Sequence, residues 1–139
     1  MRRVSYISGR YRHWCVVDGA RAGLDGTAMA AEVEDERRWM ELIAHCGHAW
    51  IAPLHNSVPV DGAIPDAEFI ARDLSIISRL RPEWDCILMR PGWDDSPESQ
   101  GARAEHDHAV DCGLLVIHGC QGEQAVRDYL NGELSGNSG

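Results

Sequence analysis

Four short apolar runs recur along the chain: Val4-Ser5-Tyr6-Ile7, Ala49-Trp50-Ile51-Ala52, Cys86-Ile87-Leu88-Met89 and Leu114-Leu115-Val116-Ile117. They are continuous rather than alternating, the pattern of strands covered on both faces in a parallel sheet. Turn residues follow each of them, in order Ser8-Gly9, Pro53, Pro91-Gly92 and Gly119. Helical patterns fill the intervals. Residues 28–46 are rich in Ala, Glu, Arg and Met and stop at Gly47, and residues 66–80 place Asp66 as an N-cap ahead of Phe69, Ile70, Leu74, Ile77 and Leu80. Residues 101–112 run to Gly113, and residues 121–130 close the series. Regular alternation of strand and helix predicts an α/β fold: a doubly wound, flavodoxin- or Rossmann-like, mostly parallel sheet of four to five strands with helices on both faces. With 139 residues in all, the expectation is one domain over residues 1–130 and a flexible Gly-, Ser- and Asn-rich tail over 131–139.

Charge narrows the function classes. Thirteen basic against 22 acidic residues give a net charge of -9, which disfavours a phosphate polymer as partner. All the basic residues are arginine, so chemistry that needs a lysine amine is excluded: a Walker phosphate loop, a kinase ion pair, a Schiff base. No apolar run approaches the ~20 residues that span a bilayer, and Gly9, Arg10 and Arg12 interrupt the first one, so neither a membrane segment nor a leader is expected. Cys15, Cys46, Cys86, Cys112 and Cys120 form no C-x-x-C pair, which argues for reduced, mostly buried thiols and a cytoplasmic location.

In doubly wound sheets ligands bind beyond the carboxyl ends of the strands, here residues 8–13, 53–65 and 91–100. The middle segment is long for a plain connection and reads as a lid or binding loop. Asp73 lies four residues from both Phe69 and Ile77, on the apolar stripe of its helix, and Glu105 shares a face with Ala102, Ala109 and Cys112. Two inward carboxyls fit acid, base or nucleophilic work, or else structural ion pairs with arginines such as Arg72 and Arg103. Gly9, Arg10 and Arg12 form either a small anion site or a solvated loop. Glu105 and His108 make one E-x-x-H pair without the second that a di-iron bundle needs, so no metal and no cofactor is expected. His45-x-x-His48 reads as a helix end, and Trp93 as a packing residue or a stacking surface for a planar ligand.

In order, YISGRYR, PLHNS, FIARDLSII, CILMRPGWDDS and SQGARAEHDHAV resemble the nucleoside 2-deoxyribosyltransferase superfamily, most closely its small bacterial and phage branch and the 2'-deoxynucleoside 5'-phosphate N-hydrolases. The resemblance covers about residues 6–117. It implies that Glu105 attacks the anomeric carbon, that Asp73 positions the base or handles its proton, and that Tyr6 orients the nucleophile. Ser99, six residues before Glu105, and Arg12, three after Gly9, correspond to phosphate-contacting positions of the hydrolases. Gly9, Arg10, His55, Asn56, Trp93 and Gly101 complete the implied substrate site. Arg10 departs from the small residue or proline usual there, and Asp95-Ser96-Pro97-Glu98 makes the loop before the last motif acidic.

The implied activity is cleavage of the N-glycosidic bond of a nucleoside 5'-monophosphate, by hydrolysis or transfer through a glycosyl-enzyme, in a homodimer or larger assembly with a small nucleotide as its only ligand. Two alternatives stay open: a nucleotide-sensing module without turnover, and a glycosidase for ribonucleotides or a nicotinamide dinucleotide.

Overall fold

The structure, a computed structural model, describes residues 2–97 and 99–132. Most of the expected tail, residues 133–139, lies outside these. In chain order the elements are β1 (Val4–Ser8), β2 (Trp14–Val17), β3 (Ala20–Leu24), α1 (Gly26–His45), β4 (Ala49–Ile51), α2 (Pro53–Ser57), α3 (Asp66–Ile77), β5 (Cys86–Met89), α4 (Gln100–Asp111), β6 (Leu115–His118) and α5 (Glu123–Leu130). Short 3-10 turns at Val58–Val60 and Gly119–Gln121 follow α2 and precede α5.

The four continuous apolar runs form one parallel sheet in the order β4-β1-β5-β6, flanked by helices, a flavodoxin- or Rossmann-like arrangement. Alternation along each strand divides the core in two. Ile7, Cys86, Leu88 and Ile117 pack with Trp39, Leu42 and Ile43 of α1 and Val126 and Leu130 of α5. Tyr6, Ile87 and Met89 pack with Ile77 of α3 and Ala102 and Ala109 of α4. From β1 the chain crosses by α1 to β4 on one side, then returns by α3 to β5 on the other. The strand order therefore reverses at β1 and β5, and the crevice beyond their carboxyl ends is where such a sheet takes a ligand.

Three local features go beyond or against the sequence pattern. The segment between β1 and α1 is a hairpin: Trp14 pairs with Leu24 and Val17 with Ala20, across a turn with Asp18 and Gly19 at φ 51° and 78°. Asp-Gly in that conformation is a strong hairpin signal. Its strands are almost wholly exposed, Val16 at 64%, so no burial pattern betrays them. Second, the long segment after β4 is partly helical, since Pro53 sits at the first position of α2. Third, Asp66 is not the N-cap of α3; Pro65 is, and the Asp66 carboxylate turns instead to Arg12.

Candidate active site

A cavity of about 250 Å³ opens at this crevice, walled by residues that follow β1 and by parts of α1, α2, α3 and α4. Successive strand side chains alternate, so Tyr6 and Ser8 share the face of β1 that α4 covers. Glu105 comes down from α4 between Ala102 and Ala109 and meets both hydroxyls. Tyr6 donates to Glu105 Oε2, and Ser8 Oγ donates to Oε1 over 3.1 Å. Glu105 is 7% exposed. Burial pushes its carboxyl up to about 8 against the two hydroxyl bonds, with the charges of Asp73 and Glu36 adding to the rise. Asp73, on the same cavity wall, is pushed up to about 6 by burial and by Glu36, against the Tyr6 hydroxyl. Tyr6 itself stays a phenol, its ionisation driven well upward by burial and then by Glu105.

A third carboxyl, Glu36, is one that the sequence reading does not single out. It is buried on α1, seven residues before Ile43 and three before Trp39, so the signal that marks Asp73, an acid on an apolar stripe, is present here too. Its Oε2 accepts from Leu54 N at 3.2 Å, and its Oε1 accepts from His55 N at 3.0 Å and lies 2.7 Å from His55 Nδ1. Glu36 thereby caps α2, which has no side-chain cap of its own.

Among the described residues, arginines hold neither Glu105 nor Asp73. Arg103 donates instead to the carbonyls of Asp94 and Ser96, at 2.7 and 3.3 Å, and Arg72 is exposed. At the mouth, Arg12 spans two carboxylates: Asp61 at 2.6 and 2.9 Å, and Asp66 at 3.0 and 3.4 Å. This clasp ties the loop after β1 to the start of α3, raises Arg12 and lowers Asp61. Arg10 bonds the Arg12 carbonyl through Nε and also lines the cavity. Ser99, at the N-cap of α4, and Gly101 line it as well. Ser99 is 3% exposed, and its Oγ is buried without a hydrogen-bond partner among the described residues.

Three expected substrate contacts fall elsewhere. Trp93 stacks on His106 at 4.8 Å and faces His118 at 6.4 Å, packed on the α4 side of the core and not in the cavity wall. Leu54 and Ser57 of α2, with Val58 just beyond it, share the face that meets the cavity, which turns His55 behind Glu36 and Asn56 to the surface. Gly9 does line the cavity, but what excludes a side chain there is protein: a Cβ would stand 2.6 Å from the Arg90 guanidinium.

Arg90 anchors that loop. It is wholly buried after β5, and its backbone N–H bonds the Ser8 carbonyl at 2.8 Å. Nη2 donates to the Arg10 carbonyl at 2.8 Å, and Nη1 reaches Glu32 Oε1 at 2.9 Å and Asp35 Oδ2 at 3.1 Å on α1. Glu32 in turn receives His13 Nε2 at 2.5 Å. No local pattern marks Arg90, because its partners lie more than fifty residues away.

His108 of the E-x-x-H pair meets Ser78 Oγ at 2.6 Å through Nε2. Among the described residues no group of three or more His, Cys, Asp or Glu side chains is placed to hold a metal ion, and no helix is long and apolar enough to cross a membrane.

The buried, hydroxyl-held carboxyl beside a second elevated carboxyl is an arrangement suited to nucleophilic and acid-base work. No protein-family model matches the chain, and comparison with curated proteins finds no match.

Proposed function

We propose that the protein cleaves the N-glycosidic bond of a nucleoside 5'-monophosphate, with Glu105 as nucleophile. One observation carries the reading: a carboxyl lodged against a cavity, held by two hydroxyls and by no arginine among the described residues, next to a second carboxyl that also retains its proton well above the ordinary range. Such pairs serve reactions through oxocarbenium-like states, one group meeting the anomeric carbon and the other serving the leaving group.

In this scheme the proton on Glu105 passes by way of Asp73 to the departing base as Glu105 ionises and bonds C1'. Tyr6 and Ser8 aim the attacking oxygens. Water then adds its oxygen to C1' and frees Glu105 as the sugar phosphate leaves, its proton returning by way of Asp73 to restore the protonated Glu105; a second base would instead accept the sugar through its nitrogen. The 5'-phosphate sits at the mouth, near Arg10, Arg12 and the Ser99 hydroxyl. A phosphate on Arg12 takes the place of Asp61 and Asp66, so opening that clasp belongs to the binding step. The same reading carries a cytoplasmic homodimer or larger assembly.

Incubation with a panel of ribo- and deoxyribonucleoside monophosphates, followed by chromatography of the released base, tests the assignment. Glu105→Gln is expected to lower base release by on the order of 10³-fold; a variant as active as wild type would remove Glu105 from the chemistry.

A further inference from the structure

The cavity is charged asymmetrically along its depth. Both arginines that line it, Arg10 and Arg12, belong to the segment after β1 at the mouth, and Arg12 there is shared with Asp61 and Asp66. Towards the interior stand Glu36, Asp73 and Glu105, brought in by α1, α3 and α4. The first and last are almost fully buried. Among the described residues, the one ionisable base touching any of the three is His55, on the far side of Glu36. A neutral ligand leaves those carboxyls crowded; a cation relieves them.

We propose that the inner end of this cavity takes a base bearing a fixed positive charge, so that the preferred substrates are N-glycosides of pyridinium or N-alkylated purinium type. This rests on the glycosidase reading and names its substrate class. The buried Ser99 hydroxyl, lining the cavity without a partner among the described residues, is a second mark that the cavity holds a ligand, here the 5'-phosphate of the same nucleotide.

The charge also resolves a difficulty in the chemistry. With an elevated carboxyl, Glu105 is mostly protonated near neutrality and is then no nucleophile. A cationic base beside it favours the carboxylate, so the substrate generates its own attacking group. A Glu105 oxygen bonds C1' as the C1'–N bond breaks, and the electron pair of that bond returns to the ring nitrogen and cancels its charge. The base leaves neutral and needs no proton. Water then adds its oxygen to C1', gives up one proton to Asp73 and so to solvent, and returns Glu105 as a carboxylate.

Calorimetry with 1-methylnicotinamide and its neutral carbon isostere 3-methylbenzamide isolates the charge. The cation is expected to bind at least ~10-fold more tightly. In Glu105→Gln and in Glu36→Gln, each checked for folding by circular dichroism, that ratio is expected to fall towards one. Equal or tighter binding of the neutral isostere to the wild type overturns the proposal. Base release distinguishes this failure from that of the glycosidase reading: uncharged nucleotides cleaved without any preference for the cation would sink the substrate class alone. Selective cation binding with no base released from any nucleotide, nicotinamide mononucleotide included, would sustain the ligand class and sink the reaction.

Discussion

Two buried ionisable side chains come from residues that each bond Ser8, Arg90 through its backbone N–H and Glu105 through its carboxyl, and they are handled in opposite ways. Arg90 is fully enclosed, and it is answered by Glu32, Asp35 and the Arg10 carbonyl, all within 3.1 Å. Glu105 is nearly as enclosed, yet it faces two hydroxyls, two further acids and an open cavity. Burying an ion costs several kcal/mol unless counter-charges offset it. Arg90 has them and serves as a rivet, joining the end of β5 to α1 and to the loop after β1. Glu105 lacks them among the described residues and responds by holding its proton. A buried charge with matched partners marks architecture; one left unmatched beside a cavity marks a place where a ligand completes the set.

The largest effect expected from breaking this contrast is at the rivet. Arg90→Met leaves Glu32 and Asp35 without their cation and should cost about 3–4 kcal/mol of stability, read from urea unfolding. A loss below about 1 kcal/mol would mean that the rivet is idle.

On the other side, Asp73→Asn should lower base release from uncharged nucleotides by roughly 10²-fold. It should also move the apparent ionisation of Glu105 downward from about 8, because the Asp73 charge helps to raise it. The pH profile of kcat/KM reads both, and an unmoved profile would separate the two carboxyls.

A third measurement needs no substrate. The folded carboxyl of Glu105 binds its proton far more tightly than an unfolded glutamate does, so the native state carries the extra proton between about 4.5 and about 8. Its burden on stability is therefore absent below the lower value, grows as pH rises and is complete above the upper one. Glutamine never ionises, so Glu105→Gln should gain on the wild type with rising pH, by roughly 2 kcal/mol at pH 9. Tm difference plotted against pH checks it, and a flat plot would place the titration elsewhere.

The smallest effect belongs to Gly9→Ala. Its methyl would press on the Arg90 guanidinium, costing about 1–2 kcal/mol. In an Arg90→Met background the penalty should shrink, and a double-mutant cycle with no coupling would argue that the loop, not Arg90, demands glycine.

The inward placement of Asp73 and Glu105 is legible in the order of residues alone, since a helix repeats every 3.6 residues and an acid at an apolar position stands out locally. Glu36 on α1 obeys the same rule. Trp93 and His55 do not yield to it, because an aromatic or a histidine near a loop fits a cavity and a core equally well. Nor does the fate of Arg12, whose partners are 49 and 54 residues distant.

Sequence alone determined what depends on neighbours in the chain: four strands in one parallel sheet, the helices between them, and the inward turn of Asp73 and Glu105; β4, at the sheet edge, lies largely exposed, against the burial its apolar run predicts. Tertiary structure decided the polar pairing: the Tyr6 hydroxyl with Glu105 across 99 residues, Arg90 with Glu32 across 58, Arg12 with two aspartates, and Glu105 with no cation among the described residues. The physical reason is one of range. Periodicity and turn chemistry act over a few residues and leave their mark in the order of the letters, whereas electrostatic energy depends on distance in space and on burial, which exist only once the chain has folded.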